Sequence, residues 1–415
     1  MQARPAISPG CSAATSDQEA PPTPLIKVGM LLASTAAADG GVSEVVRELA
    51  RTMHDPWSVQ VDVLTLQRRG DAEPSEGWDG ISIRRARSLG PRSFGYSRQL
   101  DILLDESDID LLHVHGLWMY PSIAAKRWHR RTRRPYVLSP EGMLDPWALA
   151  SKSWKKSMAM RLYEDAHLRG ASCLHALNES EMQSIRALGY TAPICLVPNG
   201  VSPPPADLPP PPWHGRLPGD ARVLLYLGRV TPKKGPAQLI RAWSALQAGW
   251  PAAEPWHLVF VGPGPDTYLQ ELQSTIEHVG VQESVHIVGP AYGIHKAACF
   301  GASHGFVLPS FSEGMPIAAL EAWSHGLPTL LTPQCNLPEG FTHDAAIAIQ
   351  PDVASITDGL RRLTAMTDRQ RAAMGARGRA LVTDRFSWPA VARQFEQVYR
   401  WLLGQQPPPD TIRLA

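Results

Sequence analysis

Short apolar segments alternate with longer amphipathic segments along most of the chain. Many of the short segments contain consecutive Val, Ile and Leu residues, which is typical of strands that are covered on both faces. The longer segments, such as residues 43–53 and 235–247, have the apolar spacing of helices. This alternation predicts parallel sheets built from βαβ units.

The predicted strands form two series. The first series comprises residues 26–33, 59–66, 81–85, 111–115, 136–139, 172–176 and 194–197. The second series comprises residues 222–227, 257–261, 285–288, 305–308 and 328–331. A proline-rich stretch from Pro198 to Pro212 separates them, and its proline runs exclude a helix or a central strand. We therefore predict two doubly wound α/β domains that face each other across a cleft.

The domain boundaries are predicted from these series and from the chain ends. Residues 1–22 lack the apolar region of a signal peptide and are rich in Ala, Ser, Pro and Gln, which predicts a disordered leader. The other predicted segments are an N-terminal domain at 23–200, a proline-rich linker at 201–216, a C-terminal domain at 217–385, and a last helix at 386–405. The apolar stripe of that helix predicts that it packs back toward the N-terminal domain. Residues 405–415 are predicted to be frayed.

The composition narrows the class of protein. The chain has 415 residues, which favours two domains, and a formal net charge of +1, which predicts no bulk attraction to nucleic acid. Its five cysteines are scattered without a C-x-x-C pair, which argues against a disulfide framework or a zinc site and favours a reducing compartment. No segment approaches the roughly 18 apolar residues of a membrane-spanning helix. The basic cluster at 127–134 could contact a membrane surface or form a solvated helix end.

The segment from Glu313 to Glu321 follows a predicted strand that ends at Leu308. Pro316 lies where a helix would begin, and the free amides of a helix start favour an anion such as phosphate. Because a carboxylate would repel phosphate, we expect Glu313 to hold sugar hydroxyls and Glu321 to hold those of a ribose. From the spacing alone, Glu313 could instead favour the helix dipole and Glu321 could be solvated.

A basic loop follows the predicted strand at 222–227. It begins with Gly228 and Arg229, and Lys234 and Gly235 follow within a few positions. Arginine and lysine from one loop can clamp a diphosphate and stabilise its charge as it departs. A solvated basic loop is the alternative, but the independent phosphate site in the same predicted domain favours the diphosphate interpretation.

Other glycines and carboxylates match the motifs of other enzyme classes only weakly. Gly40 and Gly41 follow the first strand, where they could let the backbone approach a ligand or form a tight turn. Neither they nor the segment at 262–267 completes the G-x-G-x-x-G pattern, so a nicotinamide dehydrogenase is disfavoured. Asp108 and Asp110 form a D-x-D pattern, but they precede a strand, and we interpret them as a loop.

Two polar segments lie at strand ends in the N-terminal half. His113 and His115 alternate along a strand and should therefore point the same way. His115 could act as a base, position an acceptor, or be a packed core residue. The segment from Ser139 to Trp147 contains Glu141, and it fits either a substrate loop or an ordinary turn.

Together these motifs resemble the retaining glycosyltransferases of family 4, which have the GT-B fold of two facing Rossmann-like domains. The resemblance extends over nearly all of residues 27–403. It is carried by E-G-x-P-x-x-x-x-E at 313–321, G-R and K-G in the basic loop, P-N-G-V at 198–201, and G-G at 40–41. The segments around His115 and Glu141 are similar to those of a subgroup linked to exopolysaccharide or O-antigen assembly.

The resemblance implies roles for individual residues. Arg229 and Lys234 would bind the donor diphosphate, Glu313 would contact the donor sugar, and Glu321 would bind the ribose. The remaining donor-binding positions would be Gly41, Gly228, Gly314, Met315, Pro316 and Ile317. Many members have a histidine where register counting places Glu141, which leaves open whether Glu141 or His115 supplies the missing catalytic function.

The resemblance also implies an activity. The enzyme would be a hexosyltransferase that uses a UDP- or GDP-sugar, retains the anomeric configuration, and needs neither an essential metal nor a cofactor. The acceptor would be a glycan or a lipid-linked oligosaccharide in polysaccharide biosynthesis, and nucleic acid would not be a partner. The expected location is cytoplasmic, with peripheral contact at the inner membrane face. A small-molecule acceptor and a non-catalytic nucleotide-sugar-binding subunit are the alternatives.

Overall fold

The computed structural model describes residues 24–36, 41–55, 58–67, 78, 80–91, 93–146, 149, 153–247 and 256–414. The predicted leader at 1–22, as well as Gly40 and Trp147, lies outside the described residues.

The N-terminal half contains a parallel sheet with one antiparallel strand at its edge. Its strands are β1 Ile26–Leu32, β2 Val59–Gln67, β3 Ser82–Arg87, β4 Leu111–His115, β5 Tyr136–Ser139, β6 Cys173–Ala176, β7 Ile194–Leu196 and, from the end of the chain, β14 Ile412–Arg413. The strand order is β14-β7-β6-β5-β4-β1-β2-β3. Since β1 pairs with both β2 and β4, the winding of the chain reverses between β1 and β4.

Helices connect the parallel strands of this sheet. The described ones are α1 Gly41–Met53, α2 Arg98–Asp105, α3 Tyr120–Thr132, α4 Ser153–Ala159, α5 Asp165–Gly170 and α6 Glu179–Ala187. A π-helical turn at Met160–Glu164 joins α4 to α5. Asn178 caps α6, because its side chain accepts a hydrogen bond from the Glu181 amide.

The C-terminal half contains a second parallel sheet. Its strands are β8 Arg222–Leu227, β9 Trp256–Val261, β10 Val285–Gly289, β11 Gly305–Leu308, β12 Thr329–Leu331 and β13 Ala346–Ala348. The order is β10-β9-β8-β11-β12-β13, so the winding reverses between β8 and β11. All predicted strands form within one or two residues of their expected bounds, whereas β13 was not predicted.

The structure describes eight helices in the second half of the chain, and all but the last pack around this sheet and its core. They are α7 Pro236–Gln247, α8 Asp266–His278, α9 Gly293–Gly301, α10 Ile317–Ser324, α11 Pro338–Thr342, α12 Val353–Thr364, α13 Asp368–Leu381 and α14 Trp388–Leu402. Large side chains such as Trp243, Trp323 and Phe260 are fully buried in this core. Strands β9, β11 and β12 are buried along their whole length, which explains their near-continuous apolar sequences.

The last helix, α14, lies against the N-terminal half. Val391, Phe395 and Val398 belong to the same buried cluster as residues of β1, β2 and α1. The chain crosses between the halves twice at one place, where Val201 and Ser387 form a parallel bridge. A Cβ atom on Gly200 would lie 2.4 Å from the Trp388 ring, so only glycine fits between the two crossings.

The prediction of a frayed end at 405–415 is wrong for the residues described. Ile412 and Arg413 pair antiparallel with Cys195 and Ile194 of β7. Without this pairing β7 would leave the sheet with unpaired backbone groups at its edge. A two-residue strand is too short to produce a period-two pattern, so β14 could not be predicted from the pattern of apolar residues.

Candidate active site

The site segments lie where a doubly wound sheet binds its ligands, at the carboxyl ends of strands beside the point where the winding reverses. In the first sheet, α1 begins at Gly41 after β1, and His115 is the last residue of β4. In the second sheet, Gly228 follows β8 and Glu313 follows β11.

Lys234 and Glu313 form an ion pair in the second half. The Lys234 Nζ lies 2.8 Å from the Glu313 Oε1, and the Ser310 hydroxyl donates to the same oxygen at 2.7 Å. Gly235, with φ 69°, makes the approach feasible, because a Cβ atom there would lie 2.3 Å from the Pro309 carbonyl oxygen. The loops after β8 and β11 therefore meet through a lysine and a carboxylate.

Gly228 and Arg229 occupy the start of the basic loop. Gly228 has φ 154°, and a Cβ atom there would lie 3.4 Å from the Lys234 Nζ. The Arg229 side chain is exposed and forms no ion pair with any described residue. The structure thus brings Lys234 to Glu313 but leaves the Arg229 guanidinium in solvent.

The turn before α10 is held by an asparagine. Asn336 has φ 57° and donates through its Nδ2 to the Glu313 and Gly314 carbonyl oxygens, at 2.7 and 3.1 Å. Pro316 is the N-cap residue and offers no side-chain cap; the Ala319 amide donates to the Pro316 carbonyl oxygen at 3.0 Å, whereas the Ile317 and Ala318 amides have no carbonyl partner within the helix. This helix start has the properties of an anion site. Met315, which lies between Gly314 and Pro316, packs against the hydrophobic core of the C-terminal half.

Glu321 is largely buried rather than solvated. Its Oε1 lies 2.7 Å from the Nζ of Lys296 on α9, and the same ammonium lies 3.8 Å from Glu44 on α1. Burial raises the pKa of the Glu321 carboxyl, although the Lys296 charge opposes this shift. Lys296 was not predicted, and it links the proposed ribose carboxylate to the N-terminal half.

His115 and Glu141 form a buried pair in the first half. The His115 Nδ1 lies 3.0 Å from the Glu141 Oε1, and the two side chains are 2% and 6% exposed. Glu141 has φ 56° and Gly142 has φ 74°, so the turn after β5 uses two consecutive left-handed residues. The His115 Nε2 is buried and has no hydrogen-bond partner among the described residues.

A chain of hydrogen bonds runs beneath this pair. It passes from the Tyr399 hydroxyl to the His113 Nδ1, from the His113 Nε2 to the Ser139 hydroxyl, and from that hydroxyl to the His175 Nδ1, each at 2.7 Å. The chain ends at the Val197 carbonyl, which accepts from the His175 Nε2 at 2.7 Å.

The terminal carbonyl fixes every proton in this chain. A carbonyl can only accept, so the His175 Nε2 donates, and its neutral ring must accept from Ser139 at Nδ1. Ser139 then accepts from the His113 Nε2, and Tyr399 donates to the His113 Nδ1. Burial lowers the pKa of both His113 and His175, which agrees with two neutral rings. His113 and His115 point the same way, as predicted, with ring centroids 4.0 Å apart.

The loops of the two halves approach each other at Gly142 and Gly314. A Cβ atom on Gly142 would lie 4.0 Å from the Cα of Gly314, and the Asn178 Nδ2 donates to the Gly314 carbonyl oxygen at 2.7 Å. The Gly142 amide donates to the buried Glu181 carboxylate at 2.6 Å. Burial raises the pKa of Glu181 to about 7.

A pocket of about 260 Å³ lies at the reversal point of the first sheet. We call it the N-terminal pocket, and its lining includes Ser34, Val42, His115, Gly116, Leu117 and Met143. A second pocket of about 280 Å³ lies beside Lys296 and Glu321, between α1 and the C-terminal half.

Some predicted site residues therefore contact each other in the structure, and others contact residues that were not predicted. Lys234 meets Glu313, and His115 meets Glu141, whereas Glu321 lies with Lys296 in a separate cluster. The residues that sequence reasoning missed are Asn178, Glu181, Lys296, Ser310 and Asn336. Only the first two left a signal, since N-x-x-E before an apolar pattern is typical of a helix start.

The D-x-D segment has a structural role. Asp108 lies 2.6 Å from the Lys27 ammonium, and Asp110 accepts from the Lys27 amide at 2.9 Å. Among the residues that the structure describes, no group of three or more His, Cys, Asp or Glu side chains could hold a metal ion. Independence from metal stays a prediction.

Family models match both halves of the chain. Residues 40–200 match the glycosyl transferase 4-like domain, and residues 212–381 match the glycosyl transferases group 1 domain. The chain therefore belongs to the family 4 glycosyltransferases, and it is an enzyme of the glycosyltransferase class.

Relatives of full length support this membership. The GDP-mannose:cellobiosyl-diphosphopolyprenol alpha-mannosyltransferase of Komagataeibacter xylinus is 23% identical over 91% of this chain and 93% of that protein. The D-inositol 3-phosphate glycosyltransferase of Kineococcus radiotolerans is 27% identical over 87% of this chain and 90% of that protein.

Solved structures confirm the predicted GT-B fold. Sucrose-phosphate synthase of Thermosynechococcus elongatus has a TM-score of 0.72 at 19% identity, with 92% of this chain and 100% of that chain covered. Anabaena HepE in complex with UDP and glucose has a TM-score of 0.70 at 16% identity, with 90% and 99% covered. At these identities the likeness carries the fold alone.

No helix within the described part of the chain combines the length and the apolar character that crossing a bilayer requires.

Proposed function

We propose that this glycosyltransferase moves a hexose from a UDP- or GDP-sugar to a lipid-linked glycan, with retention of configuration, in polysaccharide biosynthesis. The observation that carries the proposal is the hydrogen bond from the Asn178 Nδ2 to the Gly314 carbonyl oxygen at 2.7 Å, which holds the loop at Gly314 beside the loop at Gly142. This contact sets the Lys234–Glu313 pair of one half opposite the His115–Glu141 pair of the other.

The C-terminal half would bind the donor. The Lys234 ammonium and the first-turn amides of α10 form a positive environment for a diphosphate, and Arg229 can fold onto it from solvent. A diphosphate would compete with Glu313 for Lys234, which would release the Glu313 carboxylate to accept from sugar hydroxyls. Glu321 would accept from the ribose hydroxyls in the same way, in exchange with Lys296.

The N-terminal half would orient the acceptor. In a neutral His115 ring whose Nδ1 donates to the Glu141 carboxylate, the Nε2 has a lone pair at the wall of the N-terminal pocket. A non-reacting hydroxyl of the acceptor could donate to this nitrogen and so orient the neighbouring reacting hydroxyl, which keeps its own proton. The oxygen of the reacting hydroxyl would bond to the anomeric carbon as the bond from that carbon to the diphosphate breaks. The proton would pass to the departing diphosphate on the same face, which retains the configuration and needs no metal.

The relatives named above act on two kinds of acceptor, one lipid-linked and one a small phosphorylated molecule. The Komagataeibacter relative acts on a cellobiosyl-diphosphopolyprenol, whereas the Kineococcus relative acts on D-inositol 3-phosphate. The N-terminal pocket is lined mainly by apolar side chains, such as Leu117, Met119 and Met143. Such a lining suits the apolar face of a glycan better than a phosphate.

The test is a transfer assay with labelled UDP- and GDP-hexoses and two acceptors, a polyprenyl-diphosphate oligosaccharide and inositol phosphate. The proposal predicts label in the lipid product and none in the soluble one, both with and without a metal chelator. Anomeric analysis of the product should show the configuration of the donor. Binding of the nucleotide sugar without hydrolysis or transfer to any acceptor would contradict the proposal and support a regulatory subunit.

A further inference from the structure

Three large apolar side chains lie exposed along one helical segment of the N-terminal half. Trp154, Met158 and Leu162 are 66%, 51% and 72% exposed, and they recur at intervals of four residues through α4 and the π-helical turn after it. Residues four apart lie on the same face of a helix. We call this face, together with its flanking cations Lys155 and Arg161, the α4 face.

The cations of the α4 face differ from the other basic cluster of this half. Lys155 and Arg161 form no ion pair with any residue in the part of the chain that the structure describes, and Arg161 is exposed. On α3, by contrast, Arg127 pairs with Asp101 and Arg131 pairs with Asp105. The positive charge beside the apolar stripe is therefore not neutralised by described carboxylates, whereas much of the charge on α3 is.

The α4 face is tied to the N-terminal pocket through the buried Glu164. The Glu164 Oε2 accepts from the Trp118 amide at 2.7 Å and from the Ser122 hydroxyl at 3.1 Å. Tyr163, the residue before it, donates to the Trp118 carbonyl oxygen at 2.7 Å. Ser122 and Leu117 line the N-terminal pocket. The segment that exposes the apolar stripe therefore also forms hydrogen bonds, through Glu164 and Tyr163, with residues at or next to the wall of that pocket.

We propose that the α4 face docks the enzyme onto an anionic lipid surface and so holds the N-terminal pocket at the membrane. An amphipathic helix that exposes Trp and other apolar residues beside Lys and Arg has the composition that inserts into the interface of anionic bilayers. The cations select negative headgroups, and Trp154 is of the residue type enriched at the boundary between headgroups and acyl chains. The inference rests on the proposed function only for the lipid-linked nature of the acceptor.

The experiment is flotation of the purified full chain with vesicles of phosphatidylcholine containing phosphatidylglycerol, and with vesicles of phosphatidylcholine alone. We expect binding to the anionic vesicles, weaker binding to the neutral ones, and a loss of binding as salt is raised. Replacing Trp154, Met158 and Leu162 together by serine should lower the partition coefficient at least about tenfold, since each removes apolar area from the interface.

Two further variants make the result specific. The matched control replaces Ile102, Leu188 and Leu414 by serine, since these apolar side chains are exposed elsewhere in the chain, and it should bind like the wild type. A charge variant, K155E together with R161E, should lose the preference for anionic vesicles. Circular dichroism and the thermal midpoint should be unchanged in all three, because every substituted side chain is exposed or flanks an exposed face.

The inference fails if the wild type does not float with anionic vesicles, or if the serine variant floats as well as the control. It also fails if the serine variant changes only the oligomeric state, which would make the α4 face a contact with a second copy. These outcomes are independent of the transfer assay. Vesicle binding without sugar transfer would contradict the proposed function alone, and sugar transfer without vesicle binding would contradict this inference alone.

Discussion

The two halves of the candidate site hold their polar groups by different means. In the C-terminal half, charged residues are joined in ion pairs, Lys234 with Glu313 at 2.8 Å and Lys296 with Glu321 at 2.7 Å. In the N-terminal half, neutral groups form one buried hydrogen-bonded chain from Tyr399 to the Val197 carbonyl.

This difference indicates that the C-terminal half binds a charged ligand, whereas the N-terminal half holds His115 in position. An ion pair at the edge of a cleft can exchange one partner for a charged ligand, since the charge stays compensated throughout. A buried neutral chain whose donors and acceptors are all used has nothing to exchange, and its geometry fixes the groups packed on it. We therefore assign the charged pairs to the diphosphate donor and the neutral chain to the support of His115.

The largest effect is expected from removing the lysine of the donor side. Lys234→Ala takes away the positive charge proposed for the diphosphate and leaves the Glu313 carboxylate, among the described residues, with the Ser310 hydroxyl as its hydrogen-bond partner. Transfer should fall by about 10²–10³-fold, the usual effect of losing one electrostatic group at a reacting centre. The measurement is the rate of labelled hexose transfer.

Lys233→Ala is the matched control for this prediction. The neighbouring lysine lies in the same short turn and has no ion pair with a described residue. Near-normal transfer by Lys234→Ala, or an equal loss in Lys233→Ala, would break the assignment of the donor side.

A smaller effect is expected on the acceptor side. Glu141→Gln keeps the size of the side chain but removes the carboxylate that orients the His115 ring at 3.0 Å. At saturating donor, kcat should fall by roughly 10–100-fold, which is at or below the usual range for a group acting in proton positioning. Unchanged turnover would reduce the His115–Glu141 pair to a structural contact.

Breaking the neutral hydrogen-bonded chain should lower the stability of the fold. Ser139→Ala leaves the His113 Nε2 and the His175 Nδ1 without their shared hydroxyl, and both rings are buried. The free energy of unfolding should fall by about 1–3 kcal/mol, measured by urea titration. Ser184→Ala, which removes an exposed hydroxyl, is the control and should change it by no more than about 0.5 kcal/mol. Equal effects in the two variants would argue against a coupled chain.

A second effect on stability, of similar size, is a dependence on pH through Glu181. Its pKa rises from the usual 4.5 to about 7 because it is buried, so the folded state binds the proton more tightly than the unfolded state. Its contribution to stability is therefore fully present below about pH 4.5 and is lost as the pH rises through 7, by up to about 3 kcal/mol. Glu181→Gln should remove this slope in urea titrations between those pH values. A wild-type slope that persists in the variant would assign the titration to another group.

Much of the fold was predictable because it repeats local patterns. Buried parallel strands produce apolar runs, and the predicted strands of both sheets form close to their expected bounds. The exceptions are β13 and β14, which have three and two residues and owe their existence to partners far away in the chain. Their short sequences carry no period of their own.

The site was predictable only in part, for a related reason. Lys234 and Glu313 lie in loops whose glycine and proline spacing marks them locally. Lys296 lies within an ordinary helix, and its contact with Glu321 depends on how α9 packs. Likewise, the pairing of His115 with Glu141 follows from the left-handed turn at Glu141, an uncommon conformation for a residue other than glycine.

The most direct test of this division of roles between the two halves is a calorimetric titration of the purified chain with UDP and GDP. We predict that Lys234→Ala weakens binding of the preferred nucleotide at least about tenfold, which corresponds to roughly 1.4 kcal/mol. Glu141→Gln should bind that nucleotide within about twofold of the wild type, a difference of roughly 0.4 kcal/mol. Equal weakening by both substitutions, or normal binding by Lys234→Ala, would contradict the assignment of donor binding to the charged pairs of the C-terminal half.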